Sequence, residues 1–372
     1  MSTLASPSIT IDFTEAAASA IDRGERGIVA LILKENTPPS PAHFRVYDVT
    51  EIPATLTTAN KQFIKDALKG YTNAPRYITV YVMDGDAADL GAEYNNALEF
   101  FETEKFQWLA IPTVETDQKT ANIVSWVQTK RQNDLLVKAV LPNANSADHE
   151  GIINWVTTLY RDANTAVTPE EGTPRIAGLL AGTGLTISAT YAPLRDFVDC
   201  TRNTKSDRDT LVGAGKLNAF WDGEKVKLNR AVNSFVTTSA GKQDQYKKIK
   251  IVEDMDLMED DIRKTIEDSY IGKFANSYDN KCLLITAVNG YFQGLINDGV
   301  LAAGVAEINV TATRTWLQQN GKDVVLPDGT VVELKDATDD QVKQANTGSH
   351  VFLHAVVSIL DAIEDFDLEV NI

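Results

Sequence analysis

The chain has 372 residues, 43% of them apolar, and a formal charge of −17 from 35 Lys and Arg against 52 Asp and Glu. This length supports roughly two to three domains with cores of their own, and the acid excess excludes a protein that wraps nucleic acid, because phosphate binding needs clustered Lys and Arg. No apolar run is long enough to cross a bilayer and no basic-then-apolar leader opens the chain, so the expectation is a soluble protein, without membrane insertion, that works where it is made.

Along the chain, a small polar lead gives way to Ile9-Thr10-Ile11-Asp12-Phe13, which alternates apolar and polar as a half-buried strand does. Strands are predicted at residues 27–33 and 43–49, separated by a Pro-rich loop at 37–41, and a helix at 58–69 is stopped by Gly70. From residue 77 the pattern is regular: strand 77–82, helix 87–104, strand 106–111, helix 116–131, strand 135–141. Such alternation implies parallel pairing with right-handed crossovers. The stretch 168–174, rich in Pro, Glu and Gly, and a small-residue helix at 175–181 close this α/β region.

The second half differs in kind. Residues 216–221 and 225–232 flank Asp222-Gly223, read as a tight hairpin with positive φ at both of those positions, and 324–334 reads as a second hairpin around Asp328-Gly329. Helices are predicted at 254–275 and 279–298, and strands at 306–310 and 350–360. The fold class is therefore α/β plus α+β. The expected domains are an N-terminal arm at 1–20, a β-rich segment with one helix at 21–76, an α/β domain at 77–190, an α+β domain at 191–359 and a C-terminal arm at 360–372.

The end of the chain is the most informative segment. Phe366, Leu368, Val370 and Ile372 fall on one face of a period-two run, and a strand with one apolar face and open edges needs a partner. Either the two terminal strands close the protein's own sheet, or they add to sheets of neighbouring subunits through main-chain hydrogen bonds. Asp361, Glu364, Asp365, Asp367 and Glu369 accompany the last strand without one base, so this edge would prefer a basic host.

Chemical motifs fail on inspection. Gly213-Ala214-Gly215-Lys216 ends like a phosphate-binding loop, but Thr210 stands where its first Gly belongs and Leu217 where a Ser or Thr must bind magnesium. Gly178, Gly182 and Gly184 follow a helix, so a turn or close helix packing is expected rather than a dinucleotide site. His350 and His354 lie in a strand-like stretch and read as core or interface residues, not zinc ligands. Cys200 and Cys282 stand apart without neighbouring ligands and fit buried thiols. No cofactor, metal or catalytic residue is expected.

Two long groups of strings carry a resemblance. One comprises residues 169–183 (Pro-Glu-Glu-Gly-Thr-Pro-Arg-Ile-Ala-Gly-Leu-Leu-Ala-Gly-Thr) and 189–194. The other comprises the hairpin 221–227, Arg230-Ala231-Val232-Asn233-Ser234, residues 248–253, 270–273, 276–281 and 346–349; Leu109-Ala110-Ile111-Pro112, Val140-Leu141-Pro142-Asn143 and 150–154 accompany them upstream. Together these resemble the contractile tail sheath proteins of Gram-positive myophages and of defective, bacteriocin-like phages, over most of the chain.

The resemblance implies a structural subunit of a virion tail, assembled in the host cytoplasm as stacked six-fold rings around a tail tube, with baseplate and tail terminator proteins as further partners. It also implies that the terminal arms, with Ile9, Ile11, Phe13, Phe366, Leu368, Val370 and Ile372, insert into neighbouring subunits, and that contraction drives the tube through the host envelope. Residues 21–27 and 360–365, beside the arms, are where a change of direction would be absorbed. A tube contact that grips and releases favours cations on so acidic a chain: Lys247, Lys248 and Lys250 first, then Arg314 and Lys322. The rival readings are the sheath of a bacteriocin-type particle, which uses the same mechanics, and an α/β enzyme, which the alternation suggests but no site accompanies.

Overall fold

A computed structural model describes residues 21, 24 and 26–371. It divides into two units, one of Gly24–Asp260 with Leu360–Ile372 and the other of Asp261–Ile359. The arm residues Ile9, Ile11, Phe13 and Ile372 lie outside the described residues.

The larger unit is built on one seven-stranded sheet. β1 (Ile28–Glu35) and β2 (His43–Val46) precede helix α1 (Thr58–Leu68); β3 (Tyr77–Asp84), α2 (Leu90–Glu102), β4 (Trp108–Ala110), α3 (Thr120–Gln132), β5 (Lys138–Pro142) and β6 (Ile152–Trp155) follow. A three-stranded sheet of β7 (Leu159–Asp162), β8 (Thr165–Val167) and β9 (Asp199–Cys200) brackets helix α4 (Pro169–Ala181). Next come α5 (Lys205–Gly213), β10 (Lys216–Leu217) and the hairpin of β11 (Ala219–Trp221) and β12 (Val226–Leu228). The main sheet runs β10-β6-β5-β4-β1-β3-β2, parallel throughout except for the edge strand β2.

Burial on both faces explains why β1 reads as a continuous apolar run rather than an alternating one. Val29, Leu31 and Leu33 meet Ile64 of α1 and Ile176 of α4 on one face. Ile28, Ala30 and Ile32 meet Phe101 of α2 and Val127 of α3 on the other. Each such fully buried side chain contributes roughly 1.5–3 kcal/mol before ordering costs. Gly178 permits the α1–α4 crossing, since a Cβ there would stand 1.9 Å from the Ala67 carbonyl oxygen, and Gly182 caps α4. Close helix packing is thus the role of these glycines.

Several expectations are corrected. The α4 helix starts at Pro169, not residue 175, because Thr168 and Glu171 form a capping box and proline is well tolerated at the first helical position. Pro174 inside it leaves the Glu170 carbonyl without its helical donor, and the Thr173 hydroxyl donates to that oxygen at 2.7 Å instead. Segment 21–76 is not a region of its own, since β1 and β2 pair with β3 in one sheet. Nor does the chain divide at 190/191: β10 joins the main sheet from beyond it, and the unit continues to Asp260. In the first hairpin only Gly223 has positive φ (107°), while Asp222 accepts hydrogen bonds from the amides of Glu224 and Lys225 at 2.9 Å each. Gly329 likewise is the positive-φ residue of the second hairpin.

Helix α6 (Ile249–Ser269) begins in this unit, where its first turns are attached largely by charge. Asp256, 2% exposed, accepts from both terminal nitrogens of Arg131 (2.9 and 2.7 Å) and from Lys138 Nζ (2.6 Å). Lys138, fully buried on β5, also meets Glu253 at 2.8 Å and lies 5.0 Å from the Trp108 ring, and Glu253 is bound in turn by Arg26. Burial opposes ionisation of Asp256, but Lys138 and Arg131 overcome it and hold its pKa at about 2. At Asp254 burial prevails over its partner Lys250, 2.7 Å away, and the pKa rises to about 6.

The smaller unit contains α7 (Tyr278–Asn297), β13 (Leu301–Ile308), α8 (Val310–Gln319), the hairpin of β14 (Val324–Val325) and β15 (Val331–Val332), α9 (Asp339–Gln344) and β16 (Leu353–Ile359). β13 and β16 form an antiparallel sheet of two strands. On its outer edge, β13 is partly occupied: Asn289 of α7 accepts from the Ala306 amide at 2.7 Å and donates to the Ala306 carbonyl at 3.2 Å. A small cluster of Leu317, Val324, Val342 and Ala345 holds α8, α9 and β14 together. Among the described residues no helix is long and apolar enough to cross a membrane.

Candidate functional site

Beyond β16 the chain runs on with no ladder partner among the described residues. The three described residues of the predicted apolar face remain open to solvent: Phe366 is 79% exposed, Leu368 71% and Val370 68%. Apolar surface of this extent on one extended run is unusual, and among the described residues it does not close a sheet of the protein's own.

The segment 360–365 before this run is held at four residues, Leu360, Asp361, Glu364 and Asp365. Lys250 Nζ donates to the Leu360 carbonyl at 2.6 Å, and Lys248 pairs with Asp361 and, at 3.2 Å, with Glu364. The hydroxyls of Ser188 and Thr190 donate to Glu364 Oε1 at 2.8 and 2.5 Å, and Arg230 pairs with Asp365. Burial alone would lower the Lys248 pKa, but the Asp361 and Glu364 carboxylates outweigh it and raise it. The acidic run thus has its basic host for residues 360–365 within the same unit, and this segment, expected to be the flexible joint, is instead tied at five side chains.

That arrangement also changes the reading of the basic residues. Lys250 has a 5% exposed side chain and Lys248 is engaged with the tail, so the cluster does not present three free cations; Lys247 pairs with Asp244 at 2.9 Å. In the smaller unit Arg314 donates to the carbonyls of Leu334 and Ala337 and to Asp339, while Lys322 stands 4.9 Å from the Trp316 ring. Ser188, Thr190 and Arg230 were not singled out from the sequence. The signal for them was the uncompensated acid of residues 361–365, which calls for donors but does not say where they lie.

The remaining motifs are structural. Gly213 ends α5, Gly215 turns with φ 68° and Lys216 opens β10, an order of helix, turn and strand opposite to that of a phosphate-binding loop. His350 stacks on Phe352 with an interplanar angle of 10°, and His354 lies 3.8 Å from Glu307. Both are exposed, so of the expected core or interface positions the core one does not hold. Cys200 is buried and its thiol pKa is pushed up to about 11, while Cys282 is half-buried and both are free.

Comparison with known proteins identifies this architecture. Residues 89–234 match the phage tail sheath protein central domain and residues 241–372 the phage tail sheath C-terminal domain. The tail sheath protein of Clostridium phage phiCD119 is 32% identical, with 98% of each chain covered. The chain belongs to the phage tail sheath family. Its fold is that of the sheath tail protein of Desulfitobacterium hafniense (16% identity, 96% of this chain and 98% of that one, TM-score 0.70). It is equally that of the anti-feeding prophage helical sheath in its contracted state (13% identity, 99% of each chain, TM-score 0.72). The protein is therefore a structural sheath subunit of a contractile tail, not an enzyme.

Proposed function

We propose that this sheath subunit polymerises as stacked six-fold rings around a tail tube and contracts to drive the tube through a host envelope. In this reading residues 366–372 of one copy add to the open edge of β16 in a neighbour. The exposed apolar face of Phe366, Leu368 and Val370 carries the proposal. The acceptor is argued from the sheet: among the described residues β13 and β16 are its two strands, and Asn289 already occupies the β13 edge at Ala306. The N-terminal strand, with Ile9, Ile11 and Phe13, pairs across a second chain boundary. Assembly takes place in the host cytoplasm, with baseplate and terminator proteins at the two ends of the sheath.

The tube contact is a small, salt-sensitive one. Among the basic residues considered, Lys322 is exposed and Lys247 is half-buried beside the exposed Asp244, and the proposal narrows to these two. Deleting residues 366–372 tests the assembly reading. A folded subunit that forms no long sheaths by electron microscopy is expected, and full-length contractile sheaths from the truncated chain would refute it. The second reading is the sheath of a bacteriocin-type or other contractile injection particle, and capsids in particle preparations distinguish a phage tail from it.

A further inference from the structure

We infer that residues 360–365 form an electrostatic latch that sets the reach of the C-terminal arm. The latch has five side chains on one side, Ser188, Thr190, Arg230, Lys248 and Lys250, and on the other a run that offers Asp361, Glu364, Asp365 and the Leu360 carbonyl. Glu364 is its centre. Its side chain is 4% exposed and receives two hydroxyl donors and one ammonium, whereas Phe366, two residues on, is 79% exposed. Ile363, just before Glu364, is 92% exposed, so the segment is held at Leu360, Asp361, Glu364 and Asp365 rather than along its whole length. Glu364 and Asp365 also form one wall of an open cavity of about 430 Å³ whose other walls include Tyr191, Arg208 and Asn229, so release of the segment removes that wall.

The consequence is geometric. With the latch closed, the free arm is residues 366–372, which at about 3.3 Å per residue reach about 23 Å. With it open, six more residues are released and the reach rises to about 43 Å. The bonds are ionic, part-exposed and carried by a strongly acidic chain, so salt or substitution of the cations opens the latch without disturbing the apolar core. A subunit tail with two lengths can stay joined to a neighbour while the spacing between copies changes.

The test uses the full chain and needs no assembled sheath, so it stands or falls separately from the assembly reading. Glutamyl endopeptidase cuts after Glu364 and after Glu369, one inside the latch and one beyond it, and mass spectrometry reads both initial rates in one sample. In low salt the cut after Glu369 is expected to be faster by at least about 10-fold, the ratio set by local opening. Lys248→Gln combined with Arg230→Gln, or 1 M NaCl in the order of ionic strength that screens such pairs, is expected to bring the two rates close together. Lys205→Gln, a cation beside the same cavity that pairs with Asp209 instead, is expected to leave the ratio unchanged. Cleavage after Glu253, half-buried within helix α6, reports unfolding of the unit, and Ser188→Ala with Thr190→Ala gives a second, uncharged opening should the cation variants unfold. Equal rates in the unaltered protein, or a ratio unmoved by both pairs of substitutions in folded protein, would overturn the latch.

Discussion

The ion network beneath α6 makes a quantitative prediction. Asp256→Ala removes three hydrogen bonds at once, the Arg131 fork at 2.9 and 2.7 Å and the Lys138 contact at 2.6 Å, from a carboxylate that is 2% exposed. Arg131 then has no carboxylate partner in a site where its side chain is 8% exposed, and Lys138 retains only Glu253. Stranding a buried charge in this way costs about 3–5 kcal/mol, a large part of the roughly 5–15 kcal/mol that separates folded from unfolded chains. Lys138→Met is the milder change, because Asp256 keeps its Arg131 fork and Glu253 keeps Arg26; a loss of about 1–3 kcal/mol is expected. Urea unfolding followed by tryptophan fluorescence, through Trp108 beside Lys138, reads both. With a slope of about 2–3 kcal/mol per molar urea, Asp256→Ala should lower the midpoint by about 1–2 M. Lys205→Ala, which breaks an exposed helix pair, should change stability by less than about 1 kcal/mol. If Asp256→Ala were no worse than Lys205→Ala, the network would not be what fastens α6.

Other predictions follow from single contacts. Gly178→Ala places a Cβ 1.9 Å from the Ala67 carbonyl and should separate α1 from α4, with a fall in thermal midpoint read by calorimetry, whereas Gly213→Ala meets nothing within 4 Å and should be neutral. Because the folded-state pKa of Asp254 is raised to about 6, the folded protein takes up its proton first, so acidification from about pH 6 to pH 4 stabilises the wild type relative to Asp254→Asn. Asp256 acts in the opposite sense: its folded-state pKa of about 2 lies below the ordinary value of 3.8, and its stabilisation is lost as the pH falls from about 4 towards 2; urea midpoints across this range show both. A thiol reagent should modify Cys282 well before Cys200, whose thiol is buried and titrates near 11. Extended particles should contract on mild denaturant in nucleotide-free, chelated buffer, and a strict need for ATP or a divalent metal would refute contraction by lattice packing alone.

The α/β alternation was legible because each strand and helix from β1 to β5 carries a local pattern long enough to read. β10 was not recognised as part of that sheet: it is two residues long, and its pairing with β6 joins Lys216 to Asn154, a relation that leaves no periodic trace. The start of α4 was misplaced because Pro174 reads as a breaker unless the Thr173 hydroxyl is seen to serve the Glu170 carbonyl. The alternation of Phe366, Leu368 and Val370 could be read because period is a local property, whereas their exposure is set by the fold and could not. The latch was invisible, because a Lys-rich stretch at 247–250 and an acidic one at 361–365 look alike whether they face solvent or each other, and only the fold brings them together.

The sheet of β13 and β16 has a thermodynamic consequence for the free subunit. A pair of strands seven or eight residues long is marginal in water, and here it is supported on one side by α7, through Asn289 and the Phe292 ring against Gly304. Any strand that joins its open edge binds the folded form alone, so it stabilises that region by mass action in proportion to the logarithm of its concentration. If the tail of another copy is that strand, as proposed above, the melting temperature of the smaller unit would rise with protein concentration and fall on dilution.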